Sequence, residues 1–170
     1  GRPFPLAGMR HGNMWRGGIS RDREVHTPLA LASLSHHEAS AVDLENSRFT
    51  DEGAFLADAR EHFRGVLLLQ TCNRVEILVQ GTAEGLSGFL LSLGRRNFQI
   101  SEGVEVLRHL LFLAAGIDSM IVGEDQILGQ MKAALARSKE AGASSSLIEI
   151  CVEKALHTGI QVRRRTNINR

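Results

Sequence analysis

A short apolar run, Leu29-Ala30-Leu31-Ala32-Ser33-Leu34, opens the patterned part of the chain and breaks off at polar Ser35-His36-His37-Glu38. Its length and abrupt ends suit a buried β-strand. Thr50 then stands as N-cap to a helix with Phe55, Leu56, Ala59 and Phe63 on one face and Gly65 as its stop. Val66-Leu67-Leu68-Leu69 is a second buried strand. After the polar break Gln70-Thr71-Cys72-Asn73-Arg74, Val75, Ile77 and Val79 alternate with Glu76, Leu78 and Gln80. That is strand–turn–strand, with Cys72 near the bend. Gly81-Thr82 leads into a helix with Leu86, Phe89, Leu90 and Leu93 on one side, and Asn97-Phe98-Gln99-Ile100 is a weak fourth strand. The order βαββαβ is the ferredoxin-like pattern.

From Ser101 the pattern is helical. Ser101 is the expected cap of a helix with Glu102 and Glu105 in its first turns, Leu107, Leu111 and Ala114 facing inward, and Gly116 as its end. A second helix from about Glu124 carries Ile127, Leu128, Met131, Ala134 and Leu135 and closes at Gly142. Ser146-Leu147-Ile148-Glu149 reads as a capping box. It opens a last helix with Ile148, Val152, Ala155, Gly159 and Val162 inward, running into arginines. The expected class is α+β: a flexible leader (1–27), a ferredoxin-like subdomain (28–100), a helical subdomain (101–162) and the start of a linker (163–170).

With 170 residues and 43% hydrophobic content, the chain can bury a core without disulfide staples. Two cysteines make no disulfide framework, and no signal-peptide pattern or membrane-length apolar run is present, so an intracellular, cytoplasmic protein with free thiols is expected. The net charge of +1 conceals a segregation. Residues 1–27 hold five arginines against two acids, residues 163–170 hold four arginines, and the body between holds 11 basic and 17 acidic residues. A body so acidic is a poor general binder of nucleic acid, whose affinity comes mainly from phosphate neutralisation, so any grip must be local or through the basic ends.

Cys72 stands in a polar turn, where a packing role is not expected. Arg74, two residues on, would favour its thiolate, as a nucleophile needs; the plain alternative is an incidental strand-end cysteine. Arg74 also offers the fork that binds carboxylates, against the alternative of a solvated arginine. His109 projects away from the Leu107–Leu111 face and can serve as acid or base, though a lone helix histidine is usually neither. Gln126 and Gln130 share one helix flank and, with Ser119 and Glu124 nearby, can form a hydrogen-bonding strip or simply face water. Cys151 lies among Ile148, Val152 and Ala155 and reads as core. No histidines or cysteines have metal-ligand spacing, so no metal is expected. There is no G-x-G-x-x-G after a strand and no phosphate-binding G-x-x-x-x-G-K-[ST].

Two longer stretches are more specific: Leu67–Glu76 (LLLQTCNRVE) and Ala115–Lys132 (AGIDSMIVGEDQILGQMK). Over residues 28–170 the chain resembles the N-terminal catalytic part of glutamyl-tRNA reductase, which starts tetrapyrrole (haem) synthesis by the five-carbon route. Ser35-His36-His37-Glu38-Ala39 is similar to that family's first-strand motif, and Arg164-Arg165-Thr166-Asn167-Ile168 to its linker start. The resemblance implies Cys72 as nucleophile, His109 as a catalytic residue, and substrate contacts from Thr71, Cys72, Asn73, Arg74, Ser119, Glu124, Asp125, Gln126 and Gln130. Glu76 matches a functionally sensitive position without an assigned role. The implied substrate is Glu-tRNA(Glu), held as a cysteine thioester and reduced with NADPH to glutamate-1-semialdehyde.

NADPH would be bound by a domain absent here, as would the dimer contact, and the next enzyme of the pathway is an implied partner. On that reading the isolated chain acylates or deacylates only. The chain departs from the family pattern at Phe112-Leu113-Ala114-Ala115, where Arg-Val-Ala-Ser is common, at Asp125, where proline is frequent, and at His37-Glu38, where Lys-Thr is usual. The rival reading is a non-catalytic module that binds tRNA or a partner.

Overall fold

A computed structural model describes residues 28–116 and 126–166. Strands β1 (Leu29–Ser35), β2 (Val66–Thr71), β3 (Arg74–Gln80) and β4 (Gln99–Glu102) form one sheet in the order β2-β3-β1-β4. Every neighbouring pair is antiparallel. Helices α1 (Ala41–Asn46) and α2 (Glu52–Ala59) join β1 to β2, and α3 (Ala83–Ser92) joins β3 to β4. The fold is α+β with the ferredoxin-like connectivity the sequence predicts.

Both sheet faces are covered, which explains why β1 and β2 read as unbroken apolar runs. One face packs Ala30, Ala32, Val66, Leu68, Val75, Ile77 and Val79 against Leu44, Phe55, Leu56, Leu86, Phe89 and Leu90 of α1, α2 and α3. The other packs Leu29, Leu31, Leu67, Leu69 and Leu78 against α4 (Val104–Ala115), α5 (Ile127–Glu140) and α6 (Ser146–Thr166). The C-terminal helices are thus the second cover of the sheet.

The structure corrects several local expectations. Helix α1 was not foreseen; Ser40 caps it by accepting from the Asp43 amide. Asp51 rather than Thr50 caps α2, and Phe63 lies beyond its end yet remains buried. The fourth strand is Gln99–Glu102, because Ser101 and Glu102 pair with Leu31 and Ala30. Gly103, at φ 69°, then turns strand into helix, a conformation L side chains avoid, so Ser101 caps nothing. The inward face of α4 is Val106, Leu110, Leu113 and Ala114, while Leu107 and Leu111 are exposed. Apolar residues nearly surround this helix, so periodicity alone picks the wrong stripe. Ser145, not Ser146, caps α6 by accepting from the Ile148 amide.

What selects the face of α4 is its contact with α6. A Cβ on Gly159 would meet the Ala114 backbone and Cβ at 2.7 Å, so the two helices touch backbone to backbone there. One turn on, Arg163 is buried and its Nε donates to the Ala114 carbonyl at 2.8 Å. That cation satisfies a C-terminal carbonyl of α4 where the helix dipole is negative. The helix runs through Arg163-Arg164-Arg165 to Thr166, so of these three Arg163 belongs to the interior while Arg164 and Arg165 are exposed.

Gly159→Val is expected to destabilise the fold by about 3 kcal/mol or more, since neither backbone can yield. The control Gly88→Ala, whose Cβ meets nothing within 4 Å in α3, should stabilise by roughly 0.5–1 kcal/mol. Denaturant midpoints of the two variants check both signs.

Candidate active site

The sheet face beneath α4 changes character along its strands. Alternation places Leu31, Ser33 and Ser35 of β1 on that face, directly opposite Leu78, Glu76 and Arg74 of β3. On the far side of β3 stand Leu67, Leu69 and Thr71 of β2. The face is therefore apolar at one end and polar at the other, toward the Cys72–Asn73 bend. Ser35, Arg74 and Glu76 are all buried there, Arg74 completely.

Three groups converge on one oxygen of Glu76. Its Oε1 accepts from Ser33 Oγ at 3.0 Å and from an Arg74 guanidinium nitrogen at 3.1 Å, and His109 Nε2 lies at 3.0 Å. A carboxylate buried to this degree is costly unless paired and hydrogen-bonded, and Arg74 supplies the opposite charge. A carboxylate oxygen accepts, so in this contact His109 Nε2 carries the proton. Glu76 Oε2 is buried without a hydrogen-bond partner.

The bend itself is braced from three sides. The Asn73 amide donates to Thr71 Oγ1 at 3.2 Å, Arg48 donates to the Thr71 carbonyl, and the His36 amide donates to the Asn73 carbonyl at 2.9 Å. The Gln70 side chain grips the Phe49 backbone, accepting at 2.8 Å and donating at 3.0 Å, and also donates to Glu52 at 2.9 Å. Glu38 accepts from both the amide and the hydroxyl of Ser35, fixing the end of β1 beside the bend. On this support Cys72 is exposed to solvent. Cys151 is half-buried against the α4–α6 core, and burial pushes its thiol pKa up, with Lys154 opposing in part.

The sequence-predicted residues thus fall into groups. Thr71, Cys72, Asn73 and Arg74 occupy the braced bend and the strand leaving it, and Arg74 and His109 meet on Glu76. Gln126 and Gln130 lie one turn apart at the start of α5, the first exposed and the second half-buried. Ser119, Glu124 and Asp125 lie outside the described residues. Arg74 is not the solvated arginine of the plain alternative. His109 does not project away from the core as its spacing suggested, because the true inward face, Val106–Leu110–Leu113, turns it toward the sheet. Ser33, Ser35 and Glu38 were missed; the available signal was two serines at alternate positions in an otherwise apolar strand. Among the described residues no group of three or more His, Cys, Asp or Glu is placed to hold a metal. No helix there is long and apolar enough to cross a membrane.

Glu76→Ala would leave Arg74 buried without its counter-charge and is expected to cost about 3–5 kcal/mol of stability. Ser33→Ala, which removes one of three bonds to Oε1, should cost about 1 kcal/mol. Thermal or denaturant unfolding of the two variants would show the difference.

The chain is similar to known proteins over most of its length. The family described as "Glutamyl-tRNAGlu reductase, N-terminal domain" matches residues 32–166. The glutamyl-tRNA reductase of Methanoculleus marisnigri is 64% identical over 143 residues, 84% of this chain and 34% of that protein. That of Thermus thermophilus is 41% identical over 83% of this chain and 36% of its own length. The solved structure of glutamyl-tRNA reductase from Methanopyrus kandleri superposes with a TM-score of 0.72 at 34% identity, covering 81% of this chain and 34% of that one. The chain spans about a third of the length of these relatives. It belongs to the glutamyl-tRNA reductase N-terminal domain family.

Proposed function

We propose that this chain performs the acyl-transfer half of glutamyl-tRNA reduction, the opening step of tetrapyrrole synthesis. The observation that carries the reading is the exposed Cys72 on a braced bend whose outgoing strand feeds the Arg74–Glu76–His109 network. The Cys72 thiolate attacks the carbonyl carbon of the glutamyl ester on Glu-tRNA(Glu). The bond from that carbon to the terminal ribose oxygen breaks, and the oxygen takes a proton from His109, which as imidazolium carries the proton given up by the Cys72 thiol. Glu76 orients the imidazole and offsets its charge when it is protonated, as a buried carboxylate does for a catalytic histidine. The products are free tRNA and a glutamyl thioester on Cys72. An ester needs no further activation, in keeping with a sequence that has no ATP loop.

Arg74 is assigned to the side-chain carboxylate of the glutamyl group. Glutamine would forfeit a charged contact in a buried setting, which favours strong discrimination. Thr71, Asn73, Gln126 and Gln130, with Ser119, Glu124 and Asp125, are assigned to the remaining polar atoms of the substrate. NADPH, when bound to a full-length relative, supplies the hydride that turns the thioester into an aldehyde. The residues of this chain do not fit a dinucleotide, since no strand leads into a G-x-G-x-x-G turn. Dimerisation and contact with the next enzyme of the pathway are proposed for full-length members of the family, with no residue of this chain assigned to either. In isolation the thioester would be lost to water, making the chain a slow deacylase.

Intact-mass analysis after mixing with Glu-tRNA should show one glutamyl adduct, absent in Cys72→Ser. His109→Asn should slow its formation by about 10²–10⁴-fold. Iodoacetamide should modify Cys72 well before Cys151, with the widest gap near neutral pH, narrowing as alkaline pH approaches the raised Cys151 pKa. Equal rates for the two thiols, with no adduct, would favour a non-catalytic module binding tRNA or a partner.

A further inference from the structure

Phe112 is 47% exposed, one turn beyond His109 on α4. Its ring helps to line a cleft of about 300 Å³ between α4 and the β1–β4 edge of the sheet. The floor includes Ser33 and Gln99, opposite each other in register, and Ser101; the helix wall includes Arg108, His109 and Phe112. Ser33 and His109 also hold Glu76 Oε1, so the inner end of the cleft is the buried carboxylate network approached from the side. Cys72 does not line it.

The charges in the cleft select against an anion. Among the described residues Glu38 and Glu105 line it with Arg108, which lies 3.7 Å from Glu105, and His109, whose Nε2 is held by Glu76. A glutamyl carboxylate or a diphosphate would meet a net negative wall there. A flat, neutral ligand with hydrogen-bonding edges fits: an aromatic face is offered by Phe112, and amide and hydroxyl groups by Gln99 and Ser101. The volume lies at the small end of ligand pockets and suits a nucleoside. In the acyl-transfer reading, the group that departs past His109 is the ribose of the terminal adenosine.

We propose that this cleft receives the 3′-terminal adenosine of the aminoacylated RNA. The base stacks on Phe112, its edge meets Gln99 and Ser101, and the ribose points to His109. The choice of ligand rests on the acyl-transfer reading; the cleft itself does not.

Two measurements on the chain test this. Adenosine, titrated into isotope-labelled protein, should shift amide resonances of β4 and of α4 around residues 108–112. Phe112→Ala should weaken that binding by about tenfold or more, the usual loss when a base loses its aromatic platform. Absent or misplaced shifts, an unchanged affinity in Phe112→Ala, or binding of nicotinamide riboside in place of adenosine would each overturn the proposal. In the second measurement, 2′(3′)-O-glutamyl-adenosine should acylate Cys72 faster than glutamyl ethyl ester, and Phe112→Ala should shrink that ratio about tenfold. Equal acylation by both esters without adenosine binding overturns the cleft assignment alone. Adenosine binding as expected with no acylation by either ester overturns the acyl-transfer reading and leaves the cleft as a nucleoside site.

Discussion

A carboxylate sealed between a sheet and a helix is the constraint around which the polar end of this fold is arranged. Glu76 is 2% exposed, and burial of that degree would be prohibitive without compensation. Its compensation comes from three places in the chain: Ser33 on the neighbouring strand, Arg74 two positions back on the same strand, and His109 on the covering helix. None of these can be moved alone. Re-aiming Arg74 leaves a buried charge, and lifting α4 removes His109 and opens the pair to water. The network therefore ties the β2–β3 bend, the β1–β3 register and the docking of α4 into one unit.

That docking is decided elsewhere. Gly159 lets α6 approach the backbone of α4 at Ala114, and Arg163 closes the C-terminal end of α4 by accepting a place in the interior. Backbone contact at one point and a buried cap one turn later fix both the rotation and the axial position of α4. Rotation matters most, because a turn of the helix by one residue would bring Leu107 or Leu111 inward and carry His109 away from Glu76. The position of a candidate catalytic histidine is in this sense set by a glycine and an arginine on another helix.

The sequence made the strand–turn–strand around Cys72 legible because the apolar pattern breaks sharply there and resumes with period two. The i, i+2 spacing of Arg74 and Glu76 on one strand was also readable as a shared face. The convergence on Glu76 was not. It needs the register that sets Ser33 opposite Glu76, and the rotation of a helix apolar on nearly every side. Strand β4 was displaced by two residues because Ser101-Glu102 resembles a helix start, while pairing with β1 outweighs that local preference. Arg163 was counted with a basic end because charge patterning has no means of seeing the space that Gly116 leaves for its guanidinium.

The same convergence links two properties that enzymes often keep separate. In the acyl-transfer reading, Arg74 recognises the substrate carboxylate and His109 protonates the departing ribose, yet both are held by a single oxygen. Oε1 is shared between the guanidinium and the imidazole, so a substrate carboxylate that engages Arg74 would alter the hold of Glu76 on His109. Selectivity would consequently be expressed in the rate of acylation as well as in binding, as expected where charge is stabilised in a water-poor site by groups already in place.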